Sequence, residues 1–236
     1  MSFATIRPAT IADKDAICRV HYEALTLYHE FYGALFSLHP KDLVPILTER
    51  AMNNSTFVFL VAELEGSVVG FIRYSIVEAK GNKPKGGMAD DMQLAETSSS
   101  PPAIVTQKKH LEEIWERFSR RDAEMDTCKE DTIKGQRHFY PNYQRQGIGG
   151  KLLSAVLEKA DADGVPTLIV SSAVSHGLYL KMGFEDLGLW TIDNGYWAQE
   201  IVNREMSLGI QGNEELGRKY EGVKEMEACM IRRTGG

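Results

Sequence analysis

A proline, a glycine-rich turn and an amphipathic helix follow one another between residues 141 and 164, and few folds accommodate that succession. After Pro141 the chain reads Tyr143-Gln144-Arg145-Gln146-Gly147-Ile148-Gly149-Gly150-Lys151; Leu152, Leu153, Val156, Leu157 and Ala160 then recur on one helical face. Gly164 supplies a left-handed stop, and Pro166 bars continuation. The first N–H groups of a helix have no partner within it, and the helix dipole adds partial positive charge there. Gly147 and Gly149 carry no side chain, so a phosphate is able to approach the backbone closely.

Spacing separates the phosphate loops that such a turn resembles. A dinucleotide fingerprint built on Gly147 and Gly149 needs glycine where Leu152 stands. A P-loop built on Gly150-Lys151 needs glycine at Arg145 and Ser or Thr at Leu152. Both fail, which disfavours an unrelated nucleotide-binding α/β protein. What remains is Q-x-x-G-x-G, Gln144 to Gly149, which resembles the pyrophosphate loop of the GCN5-related N-acetyltransferases (GNAT family). Downstream, His176-Gly177-Leu178-Tyr179-Leu180-Lys181-Met182-Gly183-Phe184 resembles that family's second signature, L-Y-x-x-x-G-F on a short helix. One helix and one apolar strand, Thr167 to Ser172, separate the two motifs. Their joint occurrence in this order is far more specific than either alone.

The rest of the chain is read by its periodicity. Phe3 to Arg7 is predicted to be a strand closed by Pro8. Thr10 is the expected cap, with Asp13, of a helix running to about Tyr28, and Pro40 opens a second that stops at Asn53-Asn54. Thr56–Ala62 and Val68–Tyr74 are β-branched and aromatic, with Glu65-Gly66-Ser67 as a tight hairpin turn. Residues 79–107, rich in Gly, Ser and Pro, are expected to form a flexible insertion, and 108–128 an inserted amphipathic helix. That helix would line or lid an acceptor pocket, or simply pack. A strand from Phe184 to about Trp190, a Gly- and Glu-rich loop and a last strand, Ala228 to Arg232, complete the expectation of one domain spanning 1–236.

The resemblance implies a mixed α/β sheet flanked by helices, the acyl-CoA N-acyltransferase fold. It further implies acetyl-CoA lying between two splayed parallel strands, with its pyrophosphate held by Gln144, Arg145, Gln146, Gly147, Ile148, Gly149, Gly150 and Lys151. The reaction would be direct acetyl transfer to an amine of a small molecule or a protein, without a metal. Backbone N–H groups of the strand before the loop would hold the oxyanion, and Tyr179 would protonate the departing thiolate. Alternatively Tyr179 is an aromatic packed against the following strand. No Asp or Glu lies between Ile133 and Tyr140, where the strand beside the acetyl group is expected; His138 stands there by position alone. The base is left to water or to a carboxylate such as Glu63 or Glu78. The same segment reads as short and polar for a central strand, with Gln136 and Arg137 in it. A second reading follows from that: an acyl-CoA-binding relative with impaired catalysis.

Composition narrows the partners. A net charge of -6 and a pI near 5.6 disfavour a nucleic-acid binder. Cys18, Cys128 and Cys229 are few and far apart, which fits neither a disulfide framework nor a metal site. With no apolar run of signal or membrane-span length, cytoplasmic residence is expected, the nucleus being left open. The acceptor and the oligomeric state are not encoded in any motif.

Overall fold

The Glu65-Gly66 turn sets the register of the first half of the sheet. Both residues have positive φ, 51° and 77°, the type I′ geometry that matches the twist of the strands it joins. Those strands are β2, Phe57–Leu64, and β3, Ser67–Val77. β1, Thr5–Pro8, pairs with the outer side of β2. The computed structural model describes residues 4–77, 107–144 and 148–234, with backbone alone for 141–144. The remaining strands are β4 (His138–Gln144), β5 (Thr167–Ser172), β6 (Glu185–Asp193) and β7 (Lys224–Arg232). They form one seven-stranded sheet in the order β1-β2-β3-β4-β5-β7-β6. Every neighbouring pair is antiparallel except β4 and β5.

Alternation along the strands buries both faces of this sheet. Ala62, Ile72, Phe139, Ile169, Ala228 and Met230 face one core, together with the apolar stripe of α6, Gly149–Asp163. Tyr179 of α7, Ala173–Lys181, joins the same core. On the opposite face Phe59, Val61, Val68 and Phe71 meet α1 (Lys14–Ala24) and α3 (Pro40–Met52). Tyr140, Leu168 and Ile231 meet Ile133, the last residue of α5, Arg120–Ile133. A third layer gathers α2 (His29–Leu35), α4 (Glu112–Phe118), α8 (Asn194–Ser207) and α9 (Leu216–Lys219). Tyr220 fastens it: its hydroxyl donates to Leu27 O at 2.7 Å and accepts from Phe31 N at 3.2 Å.

Several expectations are corrected here. The segment from Ile133 to Tyr140 is not the fourth strand. Ile133 ends α5, Lys134 and Gly135 turn the chain through positive φ (48° and 74°), and β4 starts at His138 and continues through Pro141 to Gln144. Gln136 and Arg137 therefore precede the strand, and Arg137 reaches Asp163 at 3.3 Å. The polar residues lie outside the buried centre, which removes the ground for reading a damaged strand. The helix expected over 108–128 is two helices broken at Ser119, with Leu111, Ile114 and Phe118 packed into the third layer. Its apolar face packs. The expected loop before β7 holds α8 and α9, and α2 follows the first helix; none of these three was anticipated. The insertion at 79–107 lies outside the described residues as far as 106, and Gln107 bridges Phe36.

Candidate active site

β4 and β5 run parallel, and among the described residues their ladder holds a single register pair, Phe139 with Thr167. Phe139 N donates to Pro166 O at 2.9 Å, and beyond that point no further ladder pair joins the two strands. β4 nevertheless keeps its other partner along its whole length, from Val77↔His138 to Phe71↔Gln144 on β3. Pro141, which has no N–H to give, falls in the stretch where β5 has already diverged. The result is a split in the middle of the sheet, opening toward the end of β4 and hence toward the start of α6.

The residues expected around the pyrophosphate divide at this point. Arg145, Gln146 and Gly147 lie outside the described residues, and of Gln144 only the backbone is described, as the last residue of β4. Ile148 precedes α6, and Gly149, Gly150 and Lys151 form its first turn; Lys151 N and Leu152 N both donate to Ile148 O, at 3.0 and 3.1 Å. Gly149 is buried, and the helix ends on Gly164 at φ 66°, as expected. The helix is seated by Leu152, whose Cδ1 would stand 3.5 Å from a Cβ placed on Gly70 of β3.

α7 is brought alongside this turn. A Cβ on Gly150 would stand 3.9 Å from Leu178 Cδ1, so the N-terminus of α6 and the middle of α7 are neighbours. The second motif works as a stop signal: Gly183 takes φ 84°, and Phe184 N closes back on Tyr179 O at 3.1 Å. Tyr179 is 3% exposed, with its ring edge-on to Phe184 at 5.6 Å between centroids. Packing on the next strand is thus observed, and Tyr179 shares a core with Phe139 of β4 and Ile169 of β5.

The other candidates are placed less favourably. His138 opens β4, and its Nδ1 lies 3.0 Å from Gln136 O; burial lowers its pKa and so favours the neutral ring. Glu63 sits at the far side of the sheet, ion-paired with Arg7 at 2.7 Å. Arg7 also binds Asp13 in a fork, with both bonds at 2.8 Å, and holds that carboxyl well below the usual range. Glu78 lies outside the described residues. All three cysteines are free thiols. Among the described residues, no group of three or more His, Cys, Asp or Glu is placed to hold a metal, and no helix is long and apolar enough to cross a membrane.

Residues 138–202 match the sequence model of the acetyltransferase (GNAT) domain, from the first residue of β4 into α8. A solved structure titled histone acetyltransferase HPA2 and related acetyltransferase, from Corynebacterium glutamicum, shares the fold. Its TM-score is 0.52 at 15% identity, covering 99% of this chain and 98% of that one. An N-acetyltransferase from Staphylococcus aureus Mu50 aligns at 0.48 and 16% identity, with 98% of each chain covered. A PaiA N-acetyltransferase from Thermoplasma acidophilum, solved in complex with coenzyme A, aligns at 0.45 and 13%, again with 98% of each covered. No curated protein sequence matches the chain. Residues 138–202 thus resemble a GNAT acetyltransferase domain, and the seven-stranded mixed sheet with its flanking helices is the fold of the Corynebacterium glutamicum structure.

Proposed function

We propose that the chain acts as a single domain that transfers the acetyl group of acetyl-CoA directly to an amine, on a small molecule or a protein. One observation carries this reading: β4 pairs with β5 at one residue, so the sheet splits open toward the glycine start of α6 with α7 beside it. An extended pantetheine arm bears amides, which need partners of the kind that unpaired strand edges offer. The diphosphate suits a helix N-terminus begun on Gly149 and Gly150, aided by Gln144, Arg145, Gln146, Gly147, Ile148 and Lys151. The free amine attacks the thioester carbonyl carbon, and a tetrahedral oxyanion forms that backbone N–H groups of β4 stabilise. The C–S bond then breaks, Tyr179 gives the thiolate its proton, and the proton lost by the acylated nitrogen restores the tyrosine.

Two measurements test the reading. Calorimetric titration with acetyl-CoA is expected to give saturable binding, and Gly149→Trp to abolish it while the far-ultraviolet spectrum is retained. Thiol release from acetyl-CoA is expected only when an amine is present. Saturable binding without amine-dependent release would reduce the protein to a coenzyme A binder.

A further inference from the structure

Tyr179 and α6 cover one face of the split. The opposite face carries ionisable side chains to which acetyl transfer, as stated so far, gives no role. Met226, Ala228 and Met230 of β7 point to the Tyr179 side, and Ile231 to the other. Alternation therefore puts Glu225 and Glu227 on the side away from Tyr179. Glu227 is the register partner of Ser172, the last residue of β5, and so stands one strand from the open end of the split. Arg121 of α5 spans two carboxylates, with its Nε 3.2 Å from Glu227 and its Nη2 3.7 Å from Asp122. Arg121, Glu227 and Asp122 keep 15, 18 and 27% side-chain exposure, so solvent reaches the cluster from outside.

Glu225 lies two residues further along β7, about 6–7 Å by strand rise. It is faced by Glu227, Asn194, Arg121 and Tyr28, while Tyr32 of α2 looks onto the same carboxylates. Glu225, Glu227 and Asp122 share the Arg121 guanidinium, and the Lys129–Asp126 pair faces Asp122 without changing the balance, an excess of negative charge that favours a cation. A second feature is independent of that charge. Asn194, the first residue of α8, is 1% exposed and turns its amide toward Glu225, yet its Nδ2 completes no hydrogen bond among the described residues. A buried amide donor left unpaired is destabilising by about 1–3 kcal/mol unless something supplies an acceptor. A ligand bearing a cation and, close to it, a neutral oxygen complements both features at once.

Resting on the acetyl-transfer reading, we propose that this cluster is the acceptor site, with Glu225 receiving the proton of a primary ammonium whose neighbouring hydroxyl or amide carbonyl accepts from Asn194. Glu225 takes one proton and frees the nitrogen lone pair, directly or through one water. The C–N bond forms, the C–S bond breaks, and the thiolate takes the Tyr179 proton. The tetrahedral nitrogen loses its second proton to restore the tyrosine. One proton is released in sum, from Glu225 to solvent. Amine and thiolate then enter and leave on opposite faces of the sheet. Burial, together with the charge of Glu227, pushes the Glu225 carboxyl up to about 7, where a base is effective near neutrality.

The test follows thiol release from acetyl-CoA with propylamine, ethanolamine and glycinamide between pH 5.5 and 9, with acetyl-CoA affinity measured alongside. Ethanolamine and glycinamide are expected to exceed propylamine in kcat/KM by about tenfold, the worth of one well-placed hydrogen bond, and Asn194→Ala to erase that preference. Glu225→Gln is expected to lower kcat/KM roughly 10²-fold at pH 7 at unchanged acetyl-CoA affinity. The deficit should shrink toward pH 9, where solution supplies more free amine. A Glu225→Gln profile matching wild type, or no release with any of the three amines, overturns the proposal. A matching Glu225→Gln profile with release retained leaves the acetyl-transfer reading standing; no release with any amine overturns that reading as well, and retained acetyl-CoA binding then leaves a coenzyme A binder. A readout independent of the variants is the Glu225 carboxyl ¹³C resonance of the wild-type protein, which ethanolamine should shift and which, unmoved, also overturns the proposal.

Discussion

Tyr179 and Glu225 are the two side chains whose substitution speaks most directly to the chemistry. Tyr179→Phe keeps the ring that packs on Phe184, so the fold should survive. The turnover rate is expected to fall about 10²-fold, with a changed alkaline limb, because only the proton is removed. An unchanged rate and pH profile would assign Tyr179 to packing alone. Glu225 makes a prediction about stability as well. Its carboxyl sits near 7 in the folded chain against about 4.3 for an unperturbed glutamate. The raised value means the folded state holds its proton longer, so stability declines as pH rises from about 4 to about 7 and stays lower above. Glu225→Gln should therefore raise the melting temperature by a few degrees at pH 8 and leave it unchanged at pH 4. A melting temperature lowered equally at both values would contradict this. Gln144 to Lys151 and Tyr179 could be put forward from the sequence because each sits in a local pattern. Glu225 and Asn194 were not, since they meet only through the β6–β7 register, Ile192 opposite Glu225, which no local spacing encodes.

Among the elements, α8 shows why a regular helix escaped the sequence. Ala198, Ile201 and Val202 recur correctly, and Asp193 caps the start by accepting from Tyr196 N at 3.0 Å. The stripe is interrupted by Glu205, a carboxylate buried to 3% exposure. His110 at 3.0 Å and Lys108 at 3.9 Å, both far away in sequence, and Asn213 at 2.6 Å, eight residues on, compensate it. Gly195 in the first turn looked equally unhelical. Its reason is steric: an added Cβ would lie 2.7 Å from the Tyr220 backbone oxygen. Gly195→Ala is expected to destabilise the chain by about 1–3 kcal/mol, measured by urea unfolding, as overpacking against a fixed carbonyl does. A neutral effect would show that α8 and the Tyr220 turn separate freely. By contrast the hairpin and α6 carried uninterrupted patterns and α3 a periodic apolar face despite Pro45, and β2, β3, α3 and α6 fall where those patterns put them.

Across the molecule, the two sheet halves meet at the one place where they hardly pair. β1 to β4 form an antiparallel unit organised by the Glu65-Gly66 turn, and β5, β6 and β7 form another. Phe139 and Thr167 hold them together at the closed end, with α6 laid across the junction. The order of motifs made this architecture readable. The position of β4 was not, because Pro141 and the residues before it imitate a loop. Leu152→Ala, which empties a fully buried site where α6 meets β3, is expected to cost about 2–5 kcal/mol in urea unfolding. A loss under 1 kcal/mol would mean that α6 is not anchored there. The most direct measurement is amide hydrogen exchange across Gly149 to Leu152 with and without saturating acetyl-CoA, alongside the calorimetric titration. Slowed exchange at Gly149 and Gly150 together with saturable binding is the expected result. Binding heat absent, or exchange at those amides unaltered, would contradict a diphosphate seated on the start of α6.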